Sequence, residues 1–140
     1  MNNAIMAALI SGLLFSCHQT VTEPMYALQN DIQLLVNIVR AEAGNQSLEG
    51  KRAVVDVILN RVDNENFPSS IEEVIFQPGQ FSCMQDGHYE KYLPLIDETD
   101  YEAVRLELLN RTDYEILYFS SGECYNGEFA YKIGDHYFAR

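Results

Sequence analysis

Residues 36–62 constrain this chain more than any other stretch. They read V-N-I-V-R-A-E-A-G-N-Q-S-L-E-G-K-R-A-V-V-D-V-I-L-N-R-V. In the second half, Ala53, Val54, Val55, Val57, Ile58 and Leu59 leave almost no polar face. A helix that is apolar all round must be enclosed by other elements. The fold is therefore expected to wrap around a central helix that starts at Ser47, a suitable N-cap, and runs to Val62. Before it, Leu34, Leu35, Ile38, Val39 and Glu42 recur at spacings of three and four, which puts them on one face of a helix capped by Asp31. Gly44 is placed to stop that helix. Glu42 thus faces the packed side and Arg40 does not. An inward glutamate at a helix end has two readings: a buried structural salt bridge, or a carboxyl group doing acid–base chemistry at the edge of a cleft. Asp56 interrupts the central helix and needs a partner or a wet edge. Asn60 and Arg61, at its end, either satisfy backbone carbonyls or line the same cleft.

Downstream the elements shorten. Residues 64–68 read as a loop, and Ser70 with Glu73 forms a capping box before a short helix through Ile75 or Phe76. Pro78-Gly79 is a turn, Gln80 to Cys83 reads as short and extended, and Met84 to Tyr92 as a long loop. Thr99 with Glu102 suggests a second capping box, opening a helix to about Asn110. Glu115 to Phe119 reads as a strand, Ser120 to Gly127 as a loop, and Ala130 to Ile133 as a partner strand. Gly134-Asp135-His136 is a tight connection into Tyr137-Phe138. The expected class is α+β, mainly helical, with a small C-terminal β element.

A chain of 140 residues, 47% hydrophobic with nine Tyr and seven Phe, is sized for one domain with a real core. Its formal net charge of −12 repels nucleic acid and anionic membrane. Ile5 to Phe15 is an apolar run too short for a membrane span and about right for a signal peptide, the alternative being an N-terminal helix of the domain. Leu14-Phe15-Ser16-Cys17 matches a lipobox, so Cys17 is a candidate lipid anchor. The expected division is a leader over residues 1–24 and a folded domain over 25–140, a monomer acting outside the cytoplasm, periplasmic or secreted. Cys83 and Cys124 either pair as a disulfide or remain separate thiols. With His88 they are the conceivable zinc set, but no close ligand pair anchors it, so neither metal nor cofactor is expected.

In order along the chain stand Ala41-Glu42-Ala43, Glu49-Gly50, Ala53-Val54, Val57-Ile58-Leu59-Asn60-Arg61, Phe67-Pro68, Val74-Ile75, Gln80-Phe81, Leu117-Tyr118-Phe119 and Ile133-Gly134-Asp135-His136-Tyr137-Phe138. This set resembles the SleB/CwlJ-type cell wall hydrolases from about Leu34 to Phe138. The resemblance implies a lysozyme or lytic transglycosylase-like domain, peptidoglycan as partner, and Glu42 as the catalytic acid. Two departures stand out: the family's second acidic residue is Gln46 here, and Asp56 replaces a small apolar residue. A phage-encoded lysis protein is an alternative origin.

Cleaving a β-1,4 glycosidic bond requires protonation of the leaving oxygen. Hydrolysis also needs a second carboxylate, for which Glu49 and Asp56 are candidates by position. Glu49 is equally suited to stabilise the first turn of its helix, and Asp56 to be a paired buried charge. A lytic transglycosylase needs only the one glutamate, so the resemblance favours cleavage between MurNAc and GlcNAc by the lytic route, with a hydrolytic muramidase or glucosaminidase as the alternative. A non-catalytic glycan-binding or phage structural module is the rival from another class. Asn60, Gln80, Ser82, Tyr118 and His136 are the candidate substrate-binding residues. Tyr118 is alternatively a core residue, and His136 a brace for the Gly134 turn.

Overall fold

The computed structural model describes residues 23–85, 87–123 and 126–140. The expected leader, with Cys17, and the second cysteine of the expected pair, Cys124, lie outside the described residues. Helix α1 spans Glu23–Ala43 and α2 spans Leu48–Asp63. They are followed by α3 (Ile71–Ile75), α4 (Ser82–Gln85), a 3-10 helix (His88–Leu95) and α5 (Glu98–Leu109). Three short strands, β1 (Tyr118–Ser120), β2 (Phe129–Ile133) and β3 (His136–Ala139), close the chain as one antiparallel sheet in the order β1-β3-β2. The domain is mainly helical with a small C-terminal sheet, as the sequence indicates. Among the described residues no helix is long and apolar enough to cross a membrane.

The central helix is α2. Residues from Ala53 to Arg61 are all buried, with Val54, Val55, Val57 and Ile58 fully so. It packs against α1, α3, α5 and β1. Ser47 caps it by accepting from the Gly50 amide at 3.3 Å. Burial of Leu35, Val36, Ile38 and Val39 fixes the inner face of α1. Gly44 follows directly, and its missing side chain matters because a Cβ there would lie 2.5 Å from the Arg40 carbonyl oxygen.

Several local expectations are corrected; among them, Arg40 does not face away from the packed side but is largely buried against Asp100. Asp31 does not cap α1, which already runs from Glu23. Residues 82–85 are helical rather than extended, because only a helical turn sends both Phe81 and Met84 into the core. The expected loop over Met84 to Tyr92 is largely the end of α4 and the 3-10 helix, which packs on α1. The cap of α5 is Asp97 rather than Thr99: Asp97 accepts from the Thr99 amide at 2.9 Å and Asp100 accepts from the Asp97 amide at 2.9 Å. Asp100 faces inward because Arg40 and Lys51 draw it there, at 2.5 Å and 2.9 Å.

Strand β1 begins later than the pattern suggests. The Asp113 carboxylate accepts from the amides of Glu115 at 2.7 Å and Ile116 at 3.2 Å, turning these residues out of the sheet. The β2–β3 turn carries Gly134 at φ +55°. A Cβ there would stand 2.2 Å from the Gln46 Oε1, which instead accepts from the Asp135 amide at 3.0 Å. The Gln46 amide nitrogen donates to the Asp135 carboxylate at 3.0 Å. Gln46 thus fastens the α1–α2 junction to the hairpin.

Candidate active site

Glu42 occupies the last turn of α1, half-buried, at one wall of a groove of about 560 Å³. The opposite contributions come from α2 through Arg61, from the segment before α4 through Gln80 and Phe81, from β1 through Tyr118 and Phe119, and from β3 through His136. The loop after β1 adds Glu123 and Asn126. Residues far apart in sequence converge here because α1 and α2 end near the same side of the small sheet.

The groove floor is built on Arg61. It is 4% exposed, donates from Nε to the Leu117 carbonyl at 2.7 Å, and from Nη1 to the Gln80 side-chain oxygen at 3.0 Å. Its guanidinium lies 5.1 Å from the Phe67 ring centre, 5.5 Å from Phe81 and 5.6 Å from Tyr118. Three aromatic faces replace the water that burial removes from the cation. Burial lowers its proton affinity and the Tyr118 hydroxyl pulls the other way. The consequence is positional: Gln80 and Tyr118, both exposed to the groove, are held by one buried cation.

Glu42 itself is held by α4. The Cys83 thiol donates to Glu42 Oε1 at 2.8 Å. Cys83 is a free thiol, and burial followed by the Glu42 hydrogen bond pushes it up to about 12. His136 is 6% exposed and packs against Phe119 in a tilted arrangement, with 5.2 Å between ring centres. Burial depresses its basicity, while the charges of Glu42 and Asp135 oppose that shift. Its Nδ1 is buried with no hydrogen-bond partner among the described residues. A buried neutral imidazole is the form this environment favours.

Of the candidate binding residues, Gln80, Tyr118 and His136 line the groove and Asn60 and Ser82 do not. Asn60 is 4% exposed and donates to the carbonyls of Ile116 at 2.9 Å and Asp113 at 3.1 Å, so it anchors the chain entering β1. Ser82 is exposed on the outer side of α4, since the helical turn sends Phe81 and Met84 inward. Both candidate second carboxylates also lie elsewhere. Glu49 borders a separate cavity with Arg52, Thr112 and Tyr131. Asp56 is 1% exposed and accepts from the Thr112 hydroxyl at 2.8 Å and the Asp113 amide at 3.0 Å. Among the described residues, the carboxylate that does share the groove with Glu42 is Glu123. Sequence reasoning missed it because an exposed acid in a loop carries no periodic signal. Arg61 had a signal: a cation ending an apolar helix must find buried partners. Among the described residues no three His, Cys, Asp or Glu side chains cluster as a metal site.

Comparison with known proteins places this geometry in a family. The family model described as Cell Wall Hydrolase matches residues 45–139, beginning just after Glu42. The spore cortex-lytic enzyme of Bacillus cereus is 36% identical over 120 residues, covering 80% of this chain and 45% of that protein. The chain spans less than half the length of the curated relatives it matches. The catalytic domain of the germination-specific lytic transglycosylase SleB from Bacillus anthracis superposes with a TM-score of 0.68 at 31% identity, over 80% of this chain and 95% of that one. The catalytic domain of the Bacillus cereus SleB protein gives a TM-score of 0.69 at 32% identity, over 80% and 91%. Sequence and fold together make the chain a member of the cell wall hydrolase family, of the SleB/CwlJ type.

Proposed function

We propose that the protein cleaves the glycan strands of peptidoglycan outside the cytoplasm, at the β-1,4 bond between MurNAc and GlcNAc, as a lytic transglycosylase with Glu42 as acid and then base. The observation that carries this reading is the place of Glu42: a half-buried carboxyl group at a helix end, in a groove whose other walls hold Gln80, Tyr118 and His136. A protonated Glu42 donates to the glycosidic oxygen as the C1–O bond breaks and positive charge develops on the sugar. The carboxylate then removes the proton from the C6 hydroxyl of the same muramic residue while that oxygen attacks C1. The product is an anhydro sugar and the proton is back on Glu42. Neither Glu49 nor Asp56 is available to activate a water in this groove, which favours the route that needs one carboxyl group. The likeness to a protein described as a lytic transglycosylase supports the same choice.

A hydrolytic reading has one observation behind it, the presence of Glu123 in the groove. The two reactions leave different ends, because the anhydro product is lighter than the hydrolytic one by a molecule of water. Purified peptidoglycan, digested and analysed as muropeptides by mass, decides between them. Anhydro ends are expected, and E42Q is expected to lower turnover by at least about 100-fold with the fold intact. Ordinary reducing ends that vanish in E123Q would replace the lytic route with the hydrolytic one. Binding without any cut, in wild type and E42Q alike, would make the protein a glycan-binding module.

A further inference from the structure

The reaction proposed above uses Glu42 and leaves the Cys83 thiol beside it without a task. Cys83 Sγ is 2.8 Å from Glu42 Oε1, and among the described residues this is the hydrogen bond that Glu42 makes. Resting on the assignment of Glu42 as the acid, we propose that Cys83 is its positioning residue: the S–H bond occupies Oε1, so that the transferred proton is carried on Oε2.

Three observations support this. The first is rigidity. Cys83 sits in α4 between Phe81 and Met84, which are 3% and 4% exposed, so the turn that presents the thiol is clamped into the core from both sides. The second is the state of the sulfur. Burial and the neighbouring Glu42 push the thiol up to about 12, so at neutral pH it is an S–H donor and not a thiolate nucleophile or a redox centre. The third is the lack of a competing donor among the described residues. Among the described residues, the charged and titratable groups facing Glu42 across the groove are His136 from β3, Tyr118 from β1, Arg61 from α2 and Glu123 from the loop after β1, with the charge of Asp135 acting on His136. Arg61 is committed to Leu117 and Gln80, and none of the others donates to Glu42.

The chemical consequence follows from when the carboxylate appears. As the proton leaves Oε2 for the glycosidic oxygen, and the C1–O electron pair goes with that oxygen, negative charge develops on Glu42. A hydrogen bond to the anion is stronger than one to the acid, so the thiol stabilises the state after proton transfer more than the state before it. When the C6 hydroxyl proton returns to Glu42 the bond relaxes. Cys83 keeps its own proton throughout.

The test uses the full chain carrying Cys83→Ala or Cys83→Ser, assayed on purified peptidoglycan across pH. C83A is expected to lose about ten-fold in kcat. The alkaline limb of its pH–rate profile should also move, because the acid has lost its hydrogen-bond donor. C83S, which keeps a donor, should recover most of the rate and return the limb toward the wild-type position. A reciprocal measurement needs no turnover. Alkylation of Cys83 by iodoacetamide at mildly alkaline pH, followed by peptide mass analysis, should run at least about three-fold faster in E42Q, where a neutral amide no longer opposes thiol ionisation. Wild-type kcat and pH profile in C83A would overturn the proposal. So would equal losses in C83A and C83S with an unmoved limb, or an alkylation rate unchanged in E42Q. Full turnover in E42Q is a different failure: it removes the assignment of Glu42 as acid, while the alkylation rate still reports the contact.

Discussion

At the scale of single residues, Arg61 carries the most structure per side chain. One guanidinium satisfies the Leu117 carbonyl and the Gln80 side chain and lies among the rings of Phe67, Phe81 and Tyr118. Its planar fork makes the two hydrogen bonds from separate nitrogens in a fixed plane, a geometry that the single nitrogen of an ammonium does not reproduce. Arg61→Ala should therefore cost about 3 kcal/mol in urea unfolding, from two orphaned polar groups and lost ring contacts. Arg61→Lys, which keeps the charge, should still cost about 1–2 kcal/mol. Cleavage should fall several-fold in R61K, because Gln80 and Tyr118 lose their common support. Wild-type stability and rate in R61K would show that charge alone is what the site requires. Asn60, one position earlier, is equally buried yet serves the backbone of the β1 approach. Two adjacent polar residues on one apolar helix thus divide into groove support and chain anchoring, a division that neither residue's identity announces.

At the scale of elements, three helices meet in a buried ionic cluster. Asp100 of α5 is fully buried and pairs with Arg40 of α1 at 2.5 Å and Lys51 of α2 at 2.9 Å. Asp97 joins from the surface at 2.5 Å from Arg40. Arg40 also reaches the Gly44 carbonyl at 3.4 Å, so the cluster is tied to the same helix end that carries Glu42. Asp100→Asn leaves two buried cations short of their counter-charge and should destabilise the fold by about 3–5 kcal/mol, measured by denaturant unfolding. Asp97→Asn, changing an exposed partner, should cost much less. Equal losses in the two variants would show that burial of Asp100 is not what makes the cluster matter. The expected cap at Thr99 fails for the same reason that the cluster exists: Asp100 is drawn inward by residues on other helices, and Asp97 becomes the cap in consequence. The extended reading of residues 80–83 fails likewise, since four residues carry too little pattern to reveal that Phe81 and Met84 share a core.

At the scale of the whole molecule, Asp56, beside Glu107, is the group from which a response to pH is expected. Both are buried, and they share the Thr112 hydroxyl, at 2.8 Å and 3.0 Å. Arg52 pairs with Glu107, and Tyr131 reaches Asp113 at 3.1 Å, so this network joins α2 and α5 to the sheet. Burial first, and Glu107 beside it, raise Asp56 to about 8. A carboxyl group raised on folding binds its proton more tightly in the folded state, so its stabilisation is present at low pH and is lost as pH climbs toward about 8. The wild-type Tm should decline over that window, and Asp56→Asn should flatten the decline while keeping an acceptor for Thr112 and the Asp113 amide. Parallel Tm–pH curves for the two proteins would refute the assignment of this decline to Asp56. The sequence by itself determined the helical class, the enclosed α2, and the inward direction of Glu42, because each is written in a local apolar period that any chain path must respect. Only the tertiary structure decided which polar groups meet. Cys83 and Glu42 are 41 residues apart, Asp56 and Thr112 are 56 apart, and Arg40 and Asp100 are 60 apart. Such meetings depend on how the elements pack, and hydrophobic periodicity specifies which face is buried without specifying what lies across from it.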